Sequence, residues 1–216
     1  YEYDLKQIGL GENAADIDVA IGSAVRTMPL RELTYVEKIG FDFEKDVGKS
    51  IIFSTGFQWK ELESMGAANY RIPNLNGGYD IIQKIRTAET FVQLRIAKNE
   101  EFLKGAFDRI SLGSKYPVIT LKGTFGIKGI ANSDYEYQKV EFDLKHSPKL
   151  GIFGKFYYQI YAGNVFGTAA YPFLRVHEGS QTYWLQSTAH NSMAFFEFIS
   201  DQYVGVRASH HFDGLI

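Results

Sequence analysis

The sequence predicts an all-β protein: an antiparallel transmembrane β-barrel, of which these residues form a part. Three observations lead there. Apolar and polar residues alternate with period two over most of the chain from Leu30 onward. The alternating runs are about 10–13 residues long, whereas soluble strands peak near 5–6 and a membrane-crossing strand needs roughly 9–11. The chain holds 14 Tyr, 17 Phe and 21 Gly against only 5 Pro. Aromatic side chains suit pleated, half-buried surfaces, and proline is excluded from central strands.

Composition narrows the function classes. Of 216 residues, 45% are hydrophobic, 15% aromatic and 22% charged, and the net charge is −2. That is too aromatic and too nearly neutral for a disordered chain. No positive balance exists to neutralise phosphates, so no nucleic-acid partner is expected. Cysteine is absent, which removes disulfides, zinc ribbons and thiol nucleophiles. No apolar run reaches the roughly 18 residues of a membrane-spanning helix. A mean hydropathy of −0.19 is low for a helical membrane protein, but it fits a barrel with a polar interior.

Residues 1–29 read as an irregular lead-in or linker, and residues 30–216 as the barrel strands. Within the lead-in, Ala14 to Gly22 alternates without a clear period. A first strand is expected over Leu33–Phe41. A second spans Ser50–Leu62, with Ile51, Phe53, Phe57 and Trp59 on the apolar side and Ser54, Gln58 and Lys60 opposite. Gly66, Asn69, Pro73, Asn74, Asn76, Gly77 and Gly78 then mark a loop. Thr87–Lys98 follows, with Val92, Leu94 and Ile96 sharing a face. Residues 99–115 are mixed and charged and read as a longer loop.

The alternation then sharpens. Val118–Lys128 sets Ile119, Leu121, Phe125 and Ile127 against Thr120, Lys122, Thr124 and Lys128. After a turn at Asn132-Ser133-Asp134, Tyr135–His146 sets Val140, Phe142 and Leu144 against Lys139, Glu141, Asp143 and Lys145. Phe153–Gly163 is aromatic on both faces. Asn164–Gly179 is looser and contains Pro172. Thr182–Ser200 breaks near Asn191, and Gln202–Phe212 alternates again. Seven or eight strands result. Tyr116, Tyr135, Tyr137, Tyr157 and Tyr158 lie near strand ends, where a barrel carries its interface girdles. The chain opens on Tyr1 and closes on a strand-like segment from His210 to Ile216, so a longer parent and a larger barrel are expected.

Three segments carry a resemblance. They are Arg109-Ile110-Ser111-Leu112-Gly113-Ser114-Lys115-Tyr116-Pro117-Val118; Gly163-Asn164-Val165-Phe166-Gly167-Thr168 with Tyr171-Pro172-Phe173-Leu174; and Phe195 to Val204 with His210-His211-Phe212-Asp213-Gly214. Together they resemble the C-terminal barrel of a Bacteroidota outer-membrane family of unknown function. Its members usually carry an N-terminal carboxypeptidase-regulatory-like domain. The resemblance covers residues 88–216 well and 30–87 loosely. It implies an outer-membrane location and brings no catalytic residue with it.

No constellation of residues points to chemistry. His210 and His211 are adjacent in a strand and face opposite sides, so one metal ion cannot take both simply, although Asp213 is near and His177 and His190 lie in irregular stretches. Ser111, Ser114 and Ser187 lack a nucleophile elbow, and Gly113-Ser114-Lys115 lacks the upstream glycine of a phosphate loop. Glu136, Glu141 and Asp143 sit beside Lys139 and Lys145, a mixture of signs that reads as salt-bridged lining rather than a glycosidase pair. Gly113, Gly123, Gly126, Gly129, Gly151, Gly154 and Gly163 in or beside strands read as sites of curvature or close backbone approach.

The expected function is therefore that of a non-enzymatic barrel of the cell outer membrane, serving envelope assembly, export or uptake. Membrane lipid and other outer-membrane or periplasmic proteins are the expected partners. No catalytic residue, metal ligand or cofactor is assigned. The alternative is a soluble β-sandwich that grips glycan or protein through exposed aromatics such as Trp59 and Trp184. A hydrolase with an acidic site ranks last.

Overall fold

The computed structural model describes residues 1–7, 33–64, 70–73, 79–104, 109–177, 179–180, 190–194 and 197–212. The strands are β1 (Glu2–Gln7), β2 (Leu33–Val47), β3 (Ile51–Ser64), β4 (Tyr70–Pro73), β5 (Tyr79–Ile82), β6 (Lys84–Ala97), β7 (Glu101–Lys104) and β8 (Arg109–Gly113). They continue as β9 (Val118–Gly126), β10 (Glu136–His146), β11 (Lys155–Thr168), β12 (Arg175–Val176), β13 (Gly179–Ser180), β14 (His190–Ala194), β15 (Ile199–Ser200) and β16 (Gln202–His211). Among the described residues there is no α-helix.

Eight strands form one antiparallel sheet in the order β1-β2-β3-β6-β9-β10-β11-β16. Strand β1 is one edge and β16 the other, and no ladder joins them among the described residues. The fold is therefore all-β and mostly antiparallel, on an open sheet.

The principal strands are long: β2 has 15 residues, and β3, β6 and β11 have 14 each. Several outrun their sequence expectation. The register carries β11 on through Asn164, Phe166 and Thr168, because β10 pairs with it as far as Glu136↔Thr168. Asn, Gly and Thr there suggest a turn locally, but ladders on both sides hold Asn164 extended. The stretch expected as a loop over 99–115 contains the β7–β8 hairpin. Glu2–Gln7 pairs with β2 from Glu2↔Lys38 to Gln7↔Leu33. The segment from Ala14 to Gly22, most of the loop from Gly66 to Gly78, and Trp184, Ser187 and Asp213 lie outside the described residues.

The two ends of the sheet differ. At one end β2 turns into β3 through residues 48–50, with Gly48 at φ 76°, and β10 reaches β11 through 147–154. The longer connection 98–117 is also there. At the other end the connections are 8–32, 65–83, 127–135 and 169–201. We call these the short-turn end and the long-connection end.

Candidate functional site: the two faces of the sheet

Directly paired residues of an antiparallel sheet point to the same side. The registers therefore sort every principal strand into two faces. One carries Glu44, Ser54, Gln58, Lys60, Glu89, Gln93, Arg95, Lys122, Thr124, Lys139, Glu141, Asp143 and Arg207, with Tyr137, Tyr161 and Tyr203 among them. The other carries Ile39, Phe41, Phe57, Val92, Leu94, Leu121, Phe125, Val140, Phe142, Ile160, Val204 and Val206.

Burial runs opposite to the soluble rule. Glu89 is 3% exposed, Thr124 6% and Gln58 9%. In the middle of the apolar face Leu121 is 47% exposed and Val140 44%, and nearer the edges Phe41 is 70% and Val204 78% exposed. Val140, Phe142 and Leu144 share this apolar face, as their alternation predicts. Two threonine hydroxyls on it are bonded to the neighbouring backbone: Thr55 Oγ1 donates to the Phe91 carbonyl at 2.9 Å and Thr90 Oγ1 to the Gly56 carbonyl at 3.0 Å. At its border Trp59 Nε1 donates to the Ala131 carbonyl at 3.1 Å. Beyond Trp59 the same face becomes charged, with Glu61 holding Arg86 at 2.6 Å and Lys84 at 3.1 Å.

The polar face is knit together by a device used twice. Glu89, Gly126 and Tyr137 are successive register partners on β6, β9 and β10. A side chain at 126 would collide with the Tyr137 ring. Because position 126 has none, the phenol lies across β9 and donates to Glu89 Oε1 at 2.6 Å. Gln58 Nε2 at 2.8 Å and Lys60 Nζ at 3.2 Å take the other oxygen. Glu141, Gly163 and Tyr203 repeat the arrangement on β10, β11 and β16, with the Tyr203 hydroxyl 3.1 Å from Glu141 Oε1. Lys139 pairs with Glu141 at 2.9 Å and Lys145 with Asp143 at 3.4 Å, and Gln159 also donates to Asp143. The mixed charges on this strand thus partner one another.

Part of the β11–β16 connection folds over this face. Arg175 lies above the rings of Tyr161 and Tyr203, at 5.5 and 5.7 Å. His190 Nε2 is 3.0 Å from the Tyr161 hydroxyl, and His177 Nε2 is 3.1 Å from Ser200 Oγ. His210 instead meets the Phe153 carbonyl at 2.8 Å on the opposite side, so His177 and His190 do not come together with it. Among the described residues no group of three His, Asp or Glu is placed to hold a metal ion. Ser114 is a turn residue: its Oγ donates to the Lys98 carbonyl at 2.6 Å and accepts from the Tyr116 amide at 3.0 Å.

The tyrosines expected in interface girdles divide. Tyr158 lies on the apolar side at the short-turn end, edge-on to His146 at 5.5 Å, and Tyr116 is exposed. Tyr137 and Tyr157 lie on the polar face instead, and Tyr135 packs into an apolar cluster with Phe173. Burial, together with the nearby Asp134 carboxylate, raises the Tyr135 hydroxyl above its ordinary value. Alternation assigns a face but does not say whether a ring near a strand end turns inward under a folded-over connection. Glu89, Tyr161, Tyr203 and Arg175 escaped the sequence reading for a related reason: their partners are one or two strands away.

A large antiparallel sheet with one mainly polar face and one mainly apolar face defines the class of this all-β protein. The chain belongs to a family of unknown function, DUF5686, whose C-terminal domain it matches over residues 50–216. No curated protein matches it.

Proposed function

We propose that this chain forms part of a non-enzymatic β-barrel of the cell outer membrane, acting in envelope assembly, export or uptake. One observation carries the reading: Ser54, Gln58, Glu89 and Thr124 are buried on the polar face, while Phe41, Leu121, Val140 and Val204 stand exposed on the opposite one. Water penalises that arrangement and hydrocarbon favours it. Strands of 14–15 residues exceed the roughly 9–11 needed to cross a tilted membrane path. The bonded hydroxyls of Thr55 and Thr90 suit a surface where unpaired polar groups are costly.

Barrels of this kind keep short turns on the periplasmic side and longer loops outside. By that rule the long-connection end faces the exterior. The resemblance to Bacteroidota proteins adds an N-terminal carboxypeptidase-regulatory-like domain to the proposed whole protein. The soluble sandwich is the weaker reading, because among the described residues no second layer covers the apolar face.

The test is fractionation of cells expressing the full-length parent, with gel mobility compared before and after boiling. Outer-membrane recovery with a heat-dependent shift is expected. Recovery in a soluble fraction would overturn the assignment.

A further inference from the structure

At the long-connection end the polar face gives way to an apolar patch. Val36, Leu62 and Ile85 are register partners on β2, β3 and β6, on the same side as Lys60 and Glu89. Apolar residues there would be misplaced if that end opened onto water. They are covered instead. Tyr70 of β4, Ile82, Tyr135, Ala170, Tyr171 and Phe173 pack over them.

The packing is specific. Phe173 stacks on Tyr137 with ring centres 5.6 Å apart and planes 17° from parallel. Tyr171 meets Tyr70 at 5.8 Å, and the Tyr70 hydroxyl shares a hydrogen bond with Thr34 Oγ1 at 3.2 Å. Tyr70 is 2% exposed and Ile85 1%. A 3-10 turn over Tyr171–Phe173, with Pro172 inside it, presents both rings. The chain leaving that turn stays on the same face. Arg175 covers Tyr161 and Tyr203, the β12–β15 ladder returns as Arg175↔Ser200 and Val176↔Ile199, and the His177 amide donates to the Phe198 carbonyl at 3.1 Å. Contacts to β2, β3, β6, β10, β11 and β16 together reach across most of the sheet.

We propose that residues 169–177, with Tyr70, Ile82 and Tyr135, form a fixed aromatic plug that closes the polar face at the long-connection end, so that the barrel is not a passive diffusion pore. This rests on the barrel reading and deepens it. A small hydrophilic solute would have to shed its water to pass between Tyr70, Tyr171, Phe173 and the side chains of Val36, Leu62 and Ile85 behind them, which offer no hydrogen bond in return. A closed barrel of this kind serves as a membrane-held platform or as a path that a partner must open.

The experiment uses the full-length protein, purified from outer membranes and reconstituted into liposomes. Swelling in a small sugar and conductance in potassium chloride are recorded for the wild type and for Tyr171→Ala/Phe173→Ala. Heat-dependent gel mobility is checked for each. The wild type should swell no faster than empty liposomes, and the double variant several-fold faster. A wild type that keeps its heat-dependent shift and conducts freely overturns the plug while leaving the barrel intact. A double variant that keeps its shift and stays tight also overturns it. If that variant does not fold, Phe173→Leu, which keeps an apolar side chain but loses the stacked ring, replaces it under the same criterion. A wild type without the heat-dependent shift overturns the barrel reading, and the plug with it.

Discussion

Tyr203 reaches Glu141 across a whole strand, and it does so because position 163 between them has no side chain. The ring occupies the space a Cβ there would need. Gly163→Ala should therefore displace the phenol and cost about 1–3 kcal/mol, the usual range for overpacking a close contact. The urea midpoint of the folded protein in detergent micelles would report it. Pairing Gly163→Ala with Tyr203→Ala should recover part of the loss, since the smaller side chain vacates the site. A null double-mutant coupling would mean that the contact carries no energy.

Glu89 is the second point of leverage. It accepts from Gln58, Lys60 and Tyr137 while almost fully buried. Glu89→Leu leaves those donors unpaired, at about 1–3 kcal/mol for each buried group that finds no water. Glu89→Gln keeps an acceptor oxygen and should lose less. Equal losses for the two variants would show that hydrogen bonding at this carboxylate is not what matters.

Phe142 stands on the apolar face with Val140 and Leu144 on either side of it along β10. Phe142→Arg should cost about 2–4 kcal/mol near the middle of a bilayer. The same change on an exposed face in water would cost little. Membrane insertion and heat-dependent mobility of the variant measure the difference, and their survival unchanged would place this face in water.

Tyr135 supplies a pH signature outside the strands. Burial, then the Asp134 charge, holds its hydroxyl above the ordinary value. The unfolded chain releases that proton near pH 10, while the folded protein retains it. Stability is thus complete below about pH 10 and falls as pH rises through the folded value. Tyr135→Phe should flatten that alkaline decline. An unchanged alkaline midpoint would mean that other tyrosines set it.

Much of this architecture was legible in the alternation of single residues. Ile51, Phe53, Phe57 and Trp59 share a face, as do Val140, Phe142 and Leu144, and Lys139 to Lys145 line the other side as ion pairs. A period of two needs no knowledge of neighbours, so one strand declares its own faces. What stayed hidden depends on register. Nothing near Gly126 says that Tyr137 will lie over it toward Glu89. Asn164 reads as a turn former until two flanking ladders are known to hold it extended. Tyr171 and Phe173 look like ordinary loop aromatics, because the patch they cover comes from Val36, Leu62 and Ile85, more than eighty residues earlier in the chain.

Thr55 and Thr90 point to a wider consequence. Their hydroxyls are committed to the Phe91 and Gly56 carbonyls, so neither proton needs a partner from beyond the sheet. A hydropathy scale scores both as polar, yet their hydrogen-bond donors are used up within the sheet. Substitution by valine at either position would leave the outer texture of the sheet almost unchanged. Sequence drift between threonine and valine along such strands is therefore nearly silent to the solvent outside, and any tally of apolar residues understates how greasy this face is.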